Sequence, residues 1–395
     1  MSDVGLGGPM VEIINRLQPV LSFFTTSTWS KRSEDPTICD FVAGNPHDMP
    51  LPGITDALRK WAEPQTKDWY AYKPDVPQAR EAAAKTLTAE RGVTYQREDV
   101  FLTPGTFGAL SVAMRTILDR GDEVIYLSPP WFFYEAMIMV AGATPVRVMT
   151  QPPEFEVDLG AIEKAITPRT RAIIVNSPNN PAGTIYQADM LQRLSSILTK
   201  AAERNGRRIF LLSDESYRKI LFDGQPFVSP AGFYPDTFVL YTYGKTLLAP
   251  GQRLGYIAMP PTMPGLEILR NALFLSQIAG GWQFPNAVMQ YALEDLEKLS
   301  VDIAHLQGRR DRLVEALRGM GYETTNPDAT FYIVVRSPIS DDVAFSEMLG
   351  EHDVFVLPGA VFELPGWFRL SITANDDMIE RSLPGFEKAL AQARG

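Results

Sequence analysis

The chain has 395 residues, 45% of them hydrophobic, with 37 Lys plus Arg against 47 Asp plus Glu and a formal charge of −10. That hydrophobic content supports a large core and about two domains, and the acidic balance without a basic tail argues against nucleic-acid binding, which needs concentrated positive charge. A single cysteine, Cys39, excludes an intrachain disulfide framework, and the three separated histidines, His47, His305 and His352, argue against a histidine-built metal site.

Met1 to Gly5 lacks a basic region followed by an apolar run, so no secretory signal is expected; with the lone cysteine this fits a reducing, cytoplasmic setting. No run of ~18 apolar residues predicts a membrane span. Residues 10–24 read as a helix with an apolar face, and 25–40 as a loop. From about 99 to 260, short β-rich runs alternate with polar turns and amphipathic segments. The runs are Val100 to Leu102, Val124 to Leu127, Ala172 to Val175, Ile209 to Leu212, Phe238 to Tyr241 and Tyr256 to Ala258. Continuous apolar runs separated by helices predict a mostly parallel sheet covered on both faces, an α/β large domain of three layers. Helical patterns dominate 262–319. After Tyr322 short strands return (Phe331 to Val335, Val354 to Leu357, Phe368 to Ile372) with two helices, predicting a smaller α+β domain against which the N-terminal segment packs. The expected division is 46–294 for the large domain, and 1–45 with 295–395 for the small one.

Ligands of parallel α/β sheets bind beyond the carboxyl ends of the strands, so the residues after each run carry the chemistry. Thr103-Pro104-Gly105-Thr106-Phe107-Gly108 is a glycine-containing turn opening a helix, suited to a phosphate and equally to an ordinary strand–helix turn. Ser128-Pro129-Pro130-Trp131 ends in a tryptophan that could stack on a flat ring or lie in the core. Asn176 to Gly183 makes a rigid turn able to aim an amide. Ile209 to Leu212 leads to Asp214, a carboxylate that must be paired or hydrogen-bonded if buried, or else a helix cap. Thr242-Tyr243-Gly244-Lys245 places a lysine at the end of an apolar strand, with Arg253 eight positions on.

Each feature is ambiguous singly. Together a phosphate-type turn, an aromatic plate, an amide, a carboxylate and a lysine match the needs of pyridoxal phosphate: a Schiff-base lysine, a partner for the pyridine nitrogen, donors to the ring oxygen and an arginine for the phosphate. Competing motifs fail. Gly244-Lys245-Thr246 would need a glycine at 239 to end an ATP-binding loop, and Val239 stands there. Gly5 to Gly8 precedes any strand, so it is no dinucleotide fingerprint.

From about Phe41 to the C-terminus the chain resembles the fold-type I pyridoxal-phosphate enzymes, specifically the class I/II aminotransferases. Phe41 to Pro46 resembles the family's early glycine motif, which implies that Gly44 lies beside the substrate. The resemblance implies that Tyr70 reaches the cofactor phosphate of a partner subunit, so that a homodimer shares its active sites. It assigns Gly105, Thr106, Phe107, Thr242 and Arg253 to the phosphate, Trp131 to ring stacking, and Asn180 and Tyr217 to the ring hydroxyl. Asp214, 31 residues before Lys245, takes the pyridinium nitrogen, and Arg369 the substrate α-carboxylate. Ser128-Pro129 and Asn180-Pro181 become candidates for cis bonds. Three departures stand out: Asp75 where a glycine is usual, Phe107 for a frequent hydroxyl residue, and Thr242 and Gly244 where serines are common.

The implied activity is transfer of an amino group from an L-amino acid to a 2-oxo acid by a ping-pong route. Lys245 is the Schiff-base lysine and proton shuttle, and Asp214 is ionised beside the pyridinium. Lyase, decarboxylase, racemase or oxidase chemistry on the same scaffold is the alternative. A sensor domain lacks room before residue 41 for a DNA-binding domain. The stretch Ser276 to Asn286 contains neither Arg nor Lys and offers Trp282, Gln283 and Phe284. With Trp29, Phe107 and Tyr243 as further aromatic candidates, this tilts the side-chain pocket toward neutral, apolar or aromatic amino acids.

Overall fold

The computed structural model describes residues 5–281 and 284–395. Twelve strands are present among them: β1 (Cys39–Asp40), β2 (Val100–Thr103), β3 (Glu123–Ser128), β4 (Thr144–Met149), β5 (Thr170–Asn176), β6 (Phe210–Asp214), β7 (Thr237–Thr242), β8 (Gly255–Ala258), β9 (Tyr332–Arg336), β10 (Val354–Phe355), β11 (Leu357–Pro358) and β12 (Trp367–Ser371). Seven form one sheet in the order β2-β8-β7-β6-β5-β3-β4, in which only β8 runs against the rest.

Alternate residues of each strand point to opposite faces, and here both faces are covered. Val124, Ile174, Leu212 and Leu240 pack against the helices Gly105–Ile117 and Leu266–Ala279. Ile125, Ile173, Val175 and Leu211 pack against Leu159–Ala165 and Ala188–Asn205. Toward the β2 side, Val100, Leu102, Val239 and Tyr241 meet the helix Pro77–Arg91. This double coverage is why the strands read as unbroken apolar runs.

The C-terminal part is an antiparallel sheet, β11-β12-β9, backed by the helices Ile303–Met320, Asp342–Gly350 and Asp376–Arg394. In the N-terminal segment, Val20, Phe23 and Ile38 share a cluster with Val334, Phe355 and Leu357.

Four elements differ from the sequence expectation. The helix expected over 10–24 is two helices, Gly8–Arg16 and Gln18–Thr26, the second with Pro19 in its first turn; a proline there has no N–H to continue the preceding helix. The stretch 25–40 is not all loop. Ser27 caps a short helix, Thr28–Arg32, by accepting from the Ser30 amide at 3.1 Å, and β1 pairs in parallel with β10. The run Val354 to Leu357 is two strands serving different sheets. Finally, β4 escaped the sequence reading because it is an edge strand with Pro145 and exposed Arg147, and it never forms an apolar run. The bonds before Pro129 and Pro181 are cis, as are those before Pro153 and Pro178.

Candidate active site

The C-terminal ends of β2, β3, β5, β6 and β7 open on one side of the sheet. Around them lies a cavity whose walls include Lys245, Asp214, Asn180, Trp131, Tyr217 and Arg369. Gly44, Thr106, Phe107, Thr242 and Arg253 line it as well. Lysine and carboxylate, 31 positions apart in sequence, therefore face one space.

Asp214 ends β6, is buried, and is held from two sides. The hydroxyl of Tyr134 donates to Oδ2 at 2.6 Å, and that of Ser216 to Oδ1 at 2.6 Å. The Ser216 hydroxyl also meets Thr106 at 2.9 Å, tying the carboxylate to the turn after β2. Burial raises the proton affinity of Asp214; the Ser216 and Tyr134 hydrogen bonds and the Lys245 charge oppose it. The lowered affinity expected from sequence belongs to the carboxylate beside a cationic ring; in the protein alone burial dominates.

Lys245 sits on a single helical turn, Tyr243–Thr246, capped by Thr242, which accepts from the Gly244 amide at 3.3 Å. Its Nζ lies 5.6 Å from the Tyr217 ring centre. The absence of a side chain at 244 has a steric reason: a Cβ there would approach Pro250 Cα to 2.9 Å. Gly105 has φ +73°, and its Cβ would meet Arg253 Nη2 at 2.9 Å. Glycine is thus required where the guanidinium closes on the turn. Arg253 is anchored to the carbonyls of Pro250 (3.0 Å) and Pro104 (3.2 Å), at the start of the helix Gly105–Ile117. An arginine beside exposed helix N–H groups suits a phosphate.

Asn176 accepts the Asn180 amide proton at 2.7 Å, fixing the turn after β5. Asn180 Oδ1 in turn accepts from Arg369 Nη1 at 2.9 Å, and Arg369 Nη2 donates to the Val42 carbonyl at 2.9 Å. Arg369, on β12, is buried; among the described residues it has no carboxylate partner, and its Nε is unpaired. Burial accordingly lowers its proton affinity. A buried guanidinium without a counter-ion is a ready site for an anion.

Tyr134 and Tyr332 are among the cavity residues with no sequence signal. Tyr134 opens the helix Tyr134–Val140, at the end of the aromatic run Trp131 to Tyr134, where its ring reads as core. Tyr332 is buried under Arg369, its ring 4.0 Å from the guanidinium and its hydroxyl 3.3 Å from that of Tyr217. Burial raises the Tyr332 pKa, but the Lys245 and Arg369 charges and the Tyr217 bond outweigh it and leave it lowered. Its hydroxyl also explains Gly44, whose Cβ would come within 2.6 Å of it.

Some expected residues lie elsewhere. Tyr70 is 59% exposed, hydrogen-bonds to the Ala62 carbonyl, and borders a surface groove with Phe274, Ile278 and Phe284. Trp29 packs on Phe23 and Phe24 rather than on the cavity. Tyr243 turns into the core, where its hydroxyl donates to Glu297. Trp282 and Gln283 lie outside the described residues. Phe107 does line the cavity, and Phe24 and Phe132, which the sequence did not single out, line it too.

The donor set fits pyridoxal phosphate: a lysine, a buried carboxylate, an amide and a phenol around one space, with an arginine and a helix start at one end. Such a set at the strand ends of a covered parallel sheet defines a fold-type I pyridoxal-phosphate enzyme. The family model for "Aminotransferase class I and II" matches residues 36–384, and the chain belongs to that family of pyridoxal-phosphate-dependent aminotransferases, which act on amino acids and 2-oxo acids. It is 33% identical to the aspartate/prephenate aminotransferase of Thermus thermophilus over 364 residues, covering 89% of this chain and 91% of the relative. The solved structure of an amino transferase from Eubacterium rectale superposes with a TM-score of 0.87 at 28% identity, covering 99% of this chain and 97% of that one. The Thermus thermophilus aspartate aminotransferase with maleate gives 0.82 at 28% identity, with 95% and 99% covered. No described helix is long and apolar enough to cross a membrane.

Proposed function

We propose that the protein moves an amino group from an L-amino acid to a 2-oxo acid in two half-reactions at this one site, with Lys245 as the cofactor-bearing lysine and proton shuttle. The observation that carries this reading is the common cavity of Lys245, Asp214 and the unpaired Arg369. The chemistry supplied by bound pyridoxal phosphate is an aldehyde that exchanges amines and a ring that accepts electrons. Asp214 would hold the ring nitrogen, Asn180 and Tyr217 the ring oxygen, and Trp131 would offer the ring a flat face. Gly105, Thr106, Phe107, Thr242 and Arg253 would hold the phosphate. Arg369 grips the substrate carboxylate beside Gly44. Nζ of Lys245 takes the proton from substrate Cα as general base and returns it as general acid.

The division into 46–294 and 1–45 with 295–395 belongs to this reading, supported by an apolar cluster around each sheet, with Tyr217, Ile220 and Phe222 of the larger part joining the cluster of the smaller. So does a cytoplasmic homodimer in which Tyr70 serves the neighbour's phosphate. Exposed Tyr70 and Tyr72 beside Phe274 and Ile278 support an interface there.

The test is a half-reaction followed by absorbance. An amino donor alone should convert the bound cofactor to its amine form with one equivalent of 2-oxo acid, and a second oxo acid should restore it. Release of ammonia in step with oxo acid would contradict transamination.

A further inference from the structure

Four charged side chains line the cavity among the described residues: Asp214, Lys245, Arg253 and Arg369. Under the reading above each is engaged, Arg253 at the helix start with the carbonyls of Pro104 and Pro250, and Arg369 at the α-carboxylate. Among the described residues of this chain, no further cation lines the cavity to meet a second carboxylate on the substrate side chain. What remains is aromatic. Phe24, from the helix Gln18–Thr26, lies 6.0 Å from Phe132; Phe132 lies 4.7 Å from Phe133; Phe133 lies 5.5 Å from Phe107; and Phe107 meets Trp131 edge-on at 4.5 Å. Phe24, Phe132, Phe107 and Trp131 line the cavity wall, and Phe133 links them from behind. Phe24 and Phe107 are each 36% exposed, so their outer faces are not consumed by the core. Flat partly open faces of this kind are buried by an apolar or aromatic group.

We propose that this aromatic wall is the side-chain subsite, and that the amino donors are L-amino acids with apolar, above all aromatic, side chains, with Phe24 and Phe132 setting the preference. An aspartate side chain would place its carboxylate against rings with no partner, an arrangement disfavoured by desolvation. The N-terminal helix then has a function beyond packing, since it carries Phe24 to the site. The inference rests on the aminotransferase reading.

Two measurements on the cofactor-loaded enzyme test it. In the first, single half-reactions are followed with phenylalanine, leucine, alanine and aspartate. The expected kcat/KM for phenylalanine exceeds that for aspartate by ~10-fold or more, the scale on which apolar pockets discriminate. Phe24→Ala and Phe132→Ala each lower the phenylalanine value by roughly tenfold and the alanine value by less than about twofold, and Phe132→Leu recovers most of the loss. In the second, calorimetry compares the unreactive acids 3-phenylpropanoate and succinate, and the former binds more tightly. Faster conversion with aspartate than with phenylalanine, tighter succinate binding, or variants that damage alanine and phenylalanine alike would each overturn the subsite while leaving the aminotransferase reading intact. Failure of all four donors to convert the bound cofactor would remove both.

Discussion

Tyr134 gives Asp214 a hydrogen bond from the first position of the helix Tyr134–Val140, at the end of the run Trp131 to Tyr134 that the sequence presents only as aromatic. A bond to a carboxylate is worth about 1.5–3 kcal/mol. Tyr134→Phe should therefore raise the proton affinity of Asp214 further and weaken cofactor binding by roughly tenfold, measurable by equilibrium dialysis. Unchanged affinity would show that Ser216 alone suffices. Asp75 is a second case. It stands where the resemblance predicts glycine, yet it is buried and outside the left-handed backbone region, and Oδ2 accepts the Leu102 amide at 3.0 Å. Burial pushes its pKa up to about 7, against the Leu102 bond and the Arg80 charge. The folded chain thus holds a proton that the unfolded chain releases near the ordinary value of 3.8. The resulting stability is fully present below about pH 4 and is lost as pH rises through about 7. Asp75→Asn keeps the acceptor and cannot ionise. Its melting temperature should match the wild type near pH 4 and exceed it by a few degrees near pH 8; a constant difference across that range would contradict the burial argument.

At the scale of elements, the strands that sequence exposes most clearly are those with both faces covered. Val124 to Leu127, Ala172 to Val175 and Phe238 to Tyr241 are apolar at every position because every position is buried. Strand β4 escaped notice because half its surface meets solvent, and β1 because two residues carry no pattern. The same reasoning separates two substitutions. Ile173→Ala in β5, buried between neighbours on both edges, should cost about 3 kcal/mol, and Val146→Ala in β4 about 1 kcal/mol or less. Denaturant midpoints compare them, and equal shifts would mean that the edge is covered in solution. The site was legible where chemistry forces a residue onto a strand end, as with Asp214, Asn180 and Lys245. It was not legible where side chains arrive through tertiary packing. Tyr332, Phe132 and Phe24 come from a second sheet, a turn and an N-terminal helix, and no spacing in sequence links them.

Over the whole molecule, the cavity lies where the two sheets meet. Arg369 on β12 donates to Asn180 on the turn after β5, so the arginine proposed for the substrate carboxylate is oriented by a residue of the other sheet. Substrate binding at Arg369 therefore bears on how the two parts are held together. The groove at Tyr70 is the complementary feature, a surface lined by Tyr70, Tyr72, Phe274 and Phe284. Sedimentation should give a dimer, and Tyr70→Ala should lower cofactor affinity several-fold while the dimer persists; a monomer with full affinity would contradict shared sites.

The most direct test of the account is chemical. Cofactor-loaded protein is reduced with borohydride, digested, and its peptides are mapped by mass spectrometry. The predicted result is a single modified peptide carrying the cofactor on Lys245, absent from Lys245→Ala. Modification of another lysine, or of none, would contradict the assignment on which the site rests.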